Sequence, residues 1–186
     1  MENNAVFDRL TDLVLSLGAF RASVIPVEGI ETDASFRDMC AANYCGNYGR
    51  NWKCPPDAGD IHELMAELRT YSFALVYQTV SDLEDSFDFE GMQEGGREQS
   101  RRSRLLDDAL RSEGYEGYLH LSKGGCGVCS PCAKVKGEPC RFPDRALSSL
   151  EGYGINVSST VKSTSMKYIN GVNTVTYFGI ILFRED

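Results

Sequence analysis

The chain has 186 residues, 27 Asp and Glu against 19 Lys and Arg, and a formal net charge of −8. That acidity argues against nucleic acid as a partner, because phosphates need a basic surface. No apolar run reaches the ~20 residues that span a bilayer, and MENNAVFDRL opens with neither a basic nor an apolar segment, so no membrane is expected and a cytoplasmic location is.

Val6, Leu10, Leu13, Val14 and Leu17 recur at helical spacing and predict a packing helix over 5–18, closed by Gly18. A short strand is expected over Ser23 to Val27. From Ser35 the chain starts helical and runs into a glycine-rich loop between Gly46 and Gly49. Asp60, with Glu63 three residues on, reads as a capping box opening a helix whose Ile61, Leu64, Met65 and Leu68 share one face. Ser72 to Val80 is apolar on both faces, as an interior strand would be. Residues 81–99 (SDLEDSFDFEGMQEGGREQ) show little apolar periodicity and read as a surface excursion. A helix through Leu105, Leu106, Ala109 and Leu110 then stops at Gly114, and Tyr118 to Leu121 is a short strand. Residues 144–152 read as a short helix. Asn170-Gly171 signals a hairpin that pairs Met166 to Ile169 with a final strand, Thr174 to Phe183. Together these predict one α+β domain over 1–186, with a mostly antiparallel sheet flanked by helices.

The chemistry concentrates in cysteines. Cys126, Cys129, Cys132 and Cys140 form C-x2-C-x2-C-x7-C in GGCGVCSPCAKVKGEPCRFP. Three thiols two residues apart on a tight loop reach three irons of a cubane, and a more distant one reaches the fourth, so the spacing points to a [4Fe–4S] cluster. Zinc also takes four thiolates, but its sites more often pair one C-x2-C with a second pair some way off. A thioredoxin-like dithiol at Cys129 and Cys132 lacks its βαβ context and leaves two cysteines unexplained. Seven cysteines without an export signal fit metal better than disulfides, and an odd number cannot all pair.

Cys40, Cys45 and Cys54 form a second set in MCAANYCGNYGRNWKCPPDAG. Three thiolates would leave one iron open to an outside ligand. The alternatives are small buried hydrophobes, or thiols that complete one shared centre with the quartet. The radical S-adenosylmethionine spacing C-x3-C-x2-C is absent. Arg50, Lys53 and Arg141 could offset cluster charge or hold an anionic substrate, though Lys and Arg are mostly ordinary surface charge. Tyr48 and Trp52 could shield a cluster or simply pack. His62 and His120 are weak ligand candidates without partner spacing. No catalytic residue can be assigned.

Cys40-x4-Cys45-Gly-x-Tyr48-Gly-x-x-Trp52-x-Cys54-Pro-Pro, followed by Cys126-x2-Cys129-x2-Cys132-x7-Cys140-Arg-x-Pro and a later Glu-x-x-Gly-Ile, resembles the DUF2284 family of predicted metal-binding proteins over nearly the whole chain. The resemblance implies metal binding by all seven cysteines and leaves the reaction open. The expectation is one or two [4Fe–4S] clusters serving electron transfer to a redox partner protein or redox chemistry on a small-molecule substrate. The alternative is Zn²⁺ in a structural or interaction module without catalysis.

Overall fold

The computed structural model describes residues 2–184. Five strands form one sheet in the order β1-β2-β5-β3-β4, with β1 at Arg21–Pro26, β2 at Phe73–Asp82, β3 at Leu119–Ser122, β4 at Ser148–Ser149 and β5 at Thr174–Phe183. Every pairing is antiparallel except β3 with β4. The expected α+β architecture is therefore present, and β2 is interior, between β1 and β5.

The period-2 alternation of the central strands sends side chains to two cores. Leu75 and Tyr77 of β2 and Ile181 of β5 meet Leu10 and Val14 of α1 (Glu2–Ser16) and Leu106 and Leu110 of α4 (Phe89–Ser112). On the opposite face Ala74, Val76, Ile180 and Leu182 pack against Leu68 of α3 (Ile61–Leu68) and against Leu150, Tyr153 and Ile155. Two short helices, α2 (Phe36–Ala41) and α5 (Val157–Thr160), complete this layer. Asp60 caps α3 as its sequence predicts, accepting from the backbone N–H groups of His62 at 2.8 Å and Glu63 at 3.2 Å. No described helix is long and apolar enough to cross a membrane.

Three expectations are corrected. Residues 89–99 are not an excursion but the first half of the 24-residue α4. Gly95 and Gly96 let α4 lie close against the sheet: a Cβ on Gly95 would stand 3.0 Å from Ser81 Oγ, and one on Gly96 would stand 3.3 Å from the Tyr177 ring and 2.9 Å from Lys123 Nζ. Residues 144–152 are not a helix; Pro143–Arg145 is a single 3₁₀ turn, Ser148–Ser149 is β4, and Glu151–Tyr153 is a second turn. Met166 to Ile169 forms no strand; β5 pairs with β2 along its length and with β3 over Ile180–Leu182 only. Asn170 instead donates to the carbonyl of Lys167 and to Thr176 Oγ1, both at 3.0 Å, and folds the turn back onto β5.

Candidate metal centre

The upstream cysteines sit where α2 unwinds. Cys40 is in its last turn, half-buried; Cys45 is exposed on the following loop; Cys54 is buried. Backbone bonds close that loop on itself, from Gly49 N–H to the carbonyl of Pro55 at 2.8 Å and from Cys54 N–H to that of Asn51 at 3.0 Å. The three thiols line a hollow of about 250 Å³ with an apolar lip of Phe36, Met39, Tyr44 and Tyr48.

The downstream loop leaves the sheet at Ser122, where β3 ends. Its thiols are all half-buried and are not in disulfides. After Cys132 the chain makes a 3₁₀ turn, Ala133–Lys136, ended by Gly137 at φ +69°, a conformation glycine adopts without strain. Trp52 of the upstream loop clamps this turn: its indole N–H donates to the carbonyl of Glu138 at 2.9 Å, and the Lys134 ammonium lies 4.3 Å from its ring centre while pairing with Asp57. Cys126, Cys129, Cys132 and Cys140 all line one narrower hollow, with Trp52, Lys53 and Phe142 among its walls.

The two loops meet at Gly125 and Asn51. A Cβ on Gly125 would stand 3.1 Å from Cys54 Sγ and 3.2 Å from Asn51 Nδ2, so only glycine lets the strands of the two loops approach this closely. Asn51, 4% exposed, donates to the carbonyl of Cys126 at 2.8 Å. The sets therefore line separate hollows across a shared wall rather than one common cavity.

Crowding shows in the thiols' acidity. Burial, reinforced by Cys45, Cys40, Cys126 and Cys132, pushes Cys54 up to about 12. Burial also raises Cys126; the Val128 N–H opposes it, and Cys140, Cys132 and Cys129 add to it. Each thiolate here disfavours the next until a cation compensates them. Among the described residues no three Cys, His, Asp or Glu side chains converge closely enough to hold a single metal ion. The thiols stand around the walls of their hollows.

Of the other sequence candidates, Lys53 and Trp52 border the quartet and Tyr48 borders the triad. Arg50 is exposed, and Arg141 is exposed and paired with Glu138 at 2.8 Å, as surface charge would be. His62 is exposed in the first turn of α3. His120 is buried in β3, its Nε2 2.8 Å from Tyr77 Oη and its Nδ1 3.5 Å from Asp107 Oδ1, too long for a good hydrogen bond; it lines neither cysteine hollow. Sequence reading missed Asn51, whose role arises only once the two loops are side by side.

No curated protein and no solved structure matches the chain. The model of one family, described as predicted metal-binding protein (DUF2284), matches residues 23–183 and so takes in both cysteine loops and all five strands but the first two residues of β1. The chain belongs to the DUF2284 family of predicted metal-binding proteins.

Proposed function

We propose that this is a cytoplasmic iron–sulfur protein that passes electrons to a partner or carries out redox chemistry on a small molecule. In this reading Cys126, Cys129, Cys132 and Cys140 hold a [4Fe–4S] core, and Cys40, Cys45 and Cys54 hold a second centre with one position open. The observation that carries it is that the four downstream thiols line one hollow while the three upstream ones line the next, with Gly125 and Asn51 between them.

The donors suit the group. A zinc ion needs four thiolates about 2.3 Å from one point, whereas thiols set around the walls of a hollow suit a core of several atoms. When bound, such a core supplies one-electron chemistry at a potential set by its charge, hydrogen bonds and exposure. The chain's part is to hold and shield: Trp52 and Phe142 wall the quartet from water, and Lys53 places a positive charge at its rim. The triad hollow is wider and open, with room for an outside molecule.

Anaerobic purification with iron and acid-labile sulfide assays and a visible spectrum tests the reading. A brown protein with sulfide matching its iron is expected. A colourless protein with stoichiometric zinc would leave a structural zinc module in its place.

A further inference from the structure

A third, shallow hollow lies on the other side of Cys126, between α4 and the ends of β3 and β4. β3 and β4 run parallel with Leu121 opposite Ser148 and Ser122 opposite Ser149, and this pairing brings Ser122, Lys123 and Ser148 to one rim. From α4 come Ser100, Ser103 and Arg104, whose i, i+3, i+4 spacing puts them on one face. No acidic residue lines this hollow, in a chain with 27 acidic residues against 19 basic ones.

Its cations are short of partners. Arg145, at the mouth, is already held by Asp108 through two contacts of 2.9 and 2.8 Å. Arg104 and Lys123 have no carboxylate partner among the described residues, although both are half-buried. Lys123 has only the Tyr177 ring, 5.6 Å away, and burial, with Arg97 nearby, lowers its pKa. A half-buried cation without a counter-charge is unfavourable unless an anion supplies one. The floor is fixed: Ser103 and Ser122 are bonded to each other at 2.7 Å, and Ser103 to Tyr77 at 2.8 Å.

We propose that this hollow binds the anionic head of a small molecule, a carboxylate or a phosphate, between Lys123 and Arg104 and over the Ser103–Ser122 pair. Binding of the anion needs no metal; that the bound molecule is a redox substrate, held against the outer wall of Cys126, rests on the function proposed above.

The test is equilibrium titration of the purified full chain with inorganic phosphate and, separately, with acetate and succinate, against chloride at matched ionic strength. Saturable binding of one of these, weakened about tenfold or more in Lys123→Met and in Arg104→Met, restored in Lys123→Arg and unchanged in Arg9→Gln, is expected. Which probe saturates separates phosphate from carboxylate. No saturation above chloride, or equal affinity in both neutral variants, overturns the proposal. Should those variants fail to fold, hydrogen exchange of the wild type decides: protection by the anion confined to 100–104 and 121–127 supports the site, and protection elsewhere or none overturns it. Iron and sulfide are measured on the same sample. Anion binding without iron leaves the site standing and removes the redox function, and iron without anion binding does the reverse.

Discussion

Asn51 donates from its buried side-chain amide to the carbonyl of Cys126 at 2.8 Å, and its own Oδ1 accepts from the Lys53 N–H at 3.0 Å. One side chain thus fixes the turn ahead of Cys54 and ties it to the loop that carries the quartet. Asn51→Ala leaves the Cys126 carbonyl without this donor and should destabilise the fold by about 1–3 kcal/mol, with loss of bound metal. Urea unfolding and metal analysis check both, and unchanged values for both would remove Asn51 from the account.

Gly125→Ala places a methyl 3.1 Å from both Asn47 Cγ and Cys54 Sγ, in a contact that neither loop can relieve without moving a cysteine. A cost of about 1–3 kcal/mol and a fall in metal content are expected. Gly127→Ala is the comparison, since its nearest neighbour is Arg104 Nη1 at 3.7 Å; it should lie within about 0.5 kcal/mol of wild type. Equal behaviour of the two variants would contradict the shared wall.

The sheet depends on a second close approach. A Cβ on Gly179 would fall 2.2 Å from Tyr77 Oη, and that hydroxyl is fixed between Ser103 and His120 at 2.8 Å from each. Gly179→Ala should cost about 3 kcal/mol. Tyr77→Phe keeps the ring but leaves Ser103 and His120 without this partner, at about 1–3 kcal/mol. Denaturant midpoints rank the two.

Acid sensitivity follows from the same network. Burial holds the His120 pKa below its ordinary value, with Asp107 pulling it partly back. Burial works against the Asp107 charge too, but His120, Arg111 and Tyr118 overcome it and bring its pKa down to about 2. Both groups are therefore depressed in the fold, so the unfolded chain takes up the extra protons. The stability they give is complete above about pH 6.5, declines below it as the unfolded histidine protonates, and declines again below about pH 4 with the carboxylate. Unfolding free energies of wild type and His120→Gln, compared from about pH 8 to about pH 5, should lose the upper step in the variant; parallel curves would contradict it.

Much of the frame was legible because it rests on local pattern. The alternation of Thr174 to Phe183 and the apolar run of β2 mark strands wherever they pair, and Asp60 caps α3 by a contact two and three residues away. What escaped depends on residues distant in the chain. Gly95 and Gly96 lie in a stretch with little apolar periodicity and find their place only against Ser81 and Tyr177 of the sheet, and Asn170-Gly171 looks like a hairpin turn until Asn170 is bonded to Thr176. The cysteine spacing marked both loops, yet nothing in it shows that Gly125 and Cys54 touch. Arg104, Lys123 and Ser148 are unremarkable alone and become a group only at the ends of β3 and β4.

If the two hollows hold separate centres, their losses should be separable. Cys129→Ser should remove metal from the quartet while the triad keeps its own, and Cys45→Ser, at an exposed position away from the Gly125 contact, should do the opposite. Each variant should retain about half of the wild-type iron. Complete loss in both would point to one shared centre.

X-ray absorption at the iron and zinc edges of anaerobically purified protein tests the central claim most directly. The account predicts iron with an all-sulfur first shell and iron–iron scattering beyond it. Zinc surrounded by four sulfurs, with no iron signal, would contradict it.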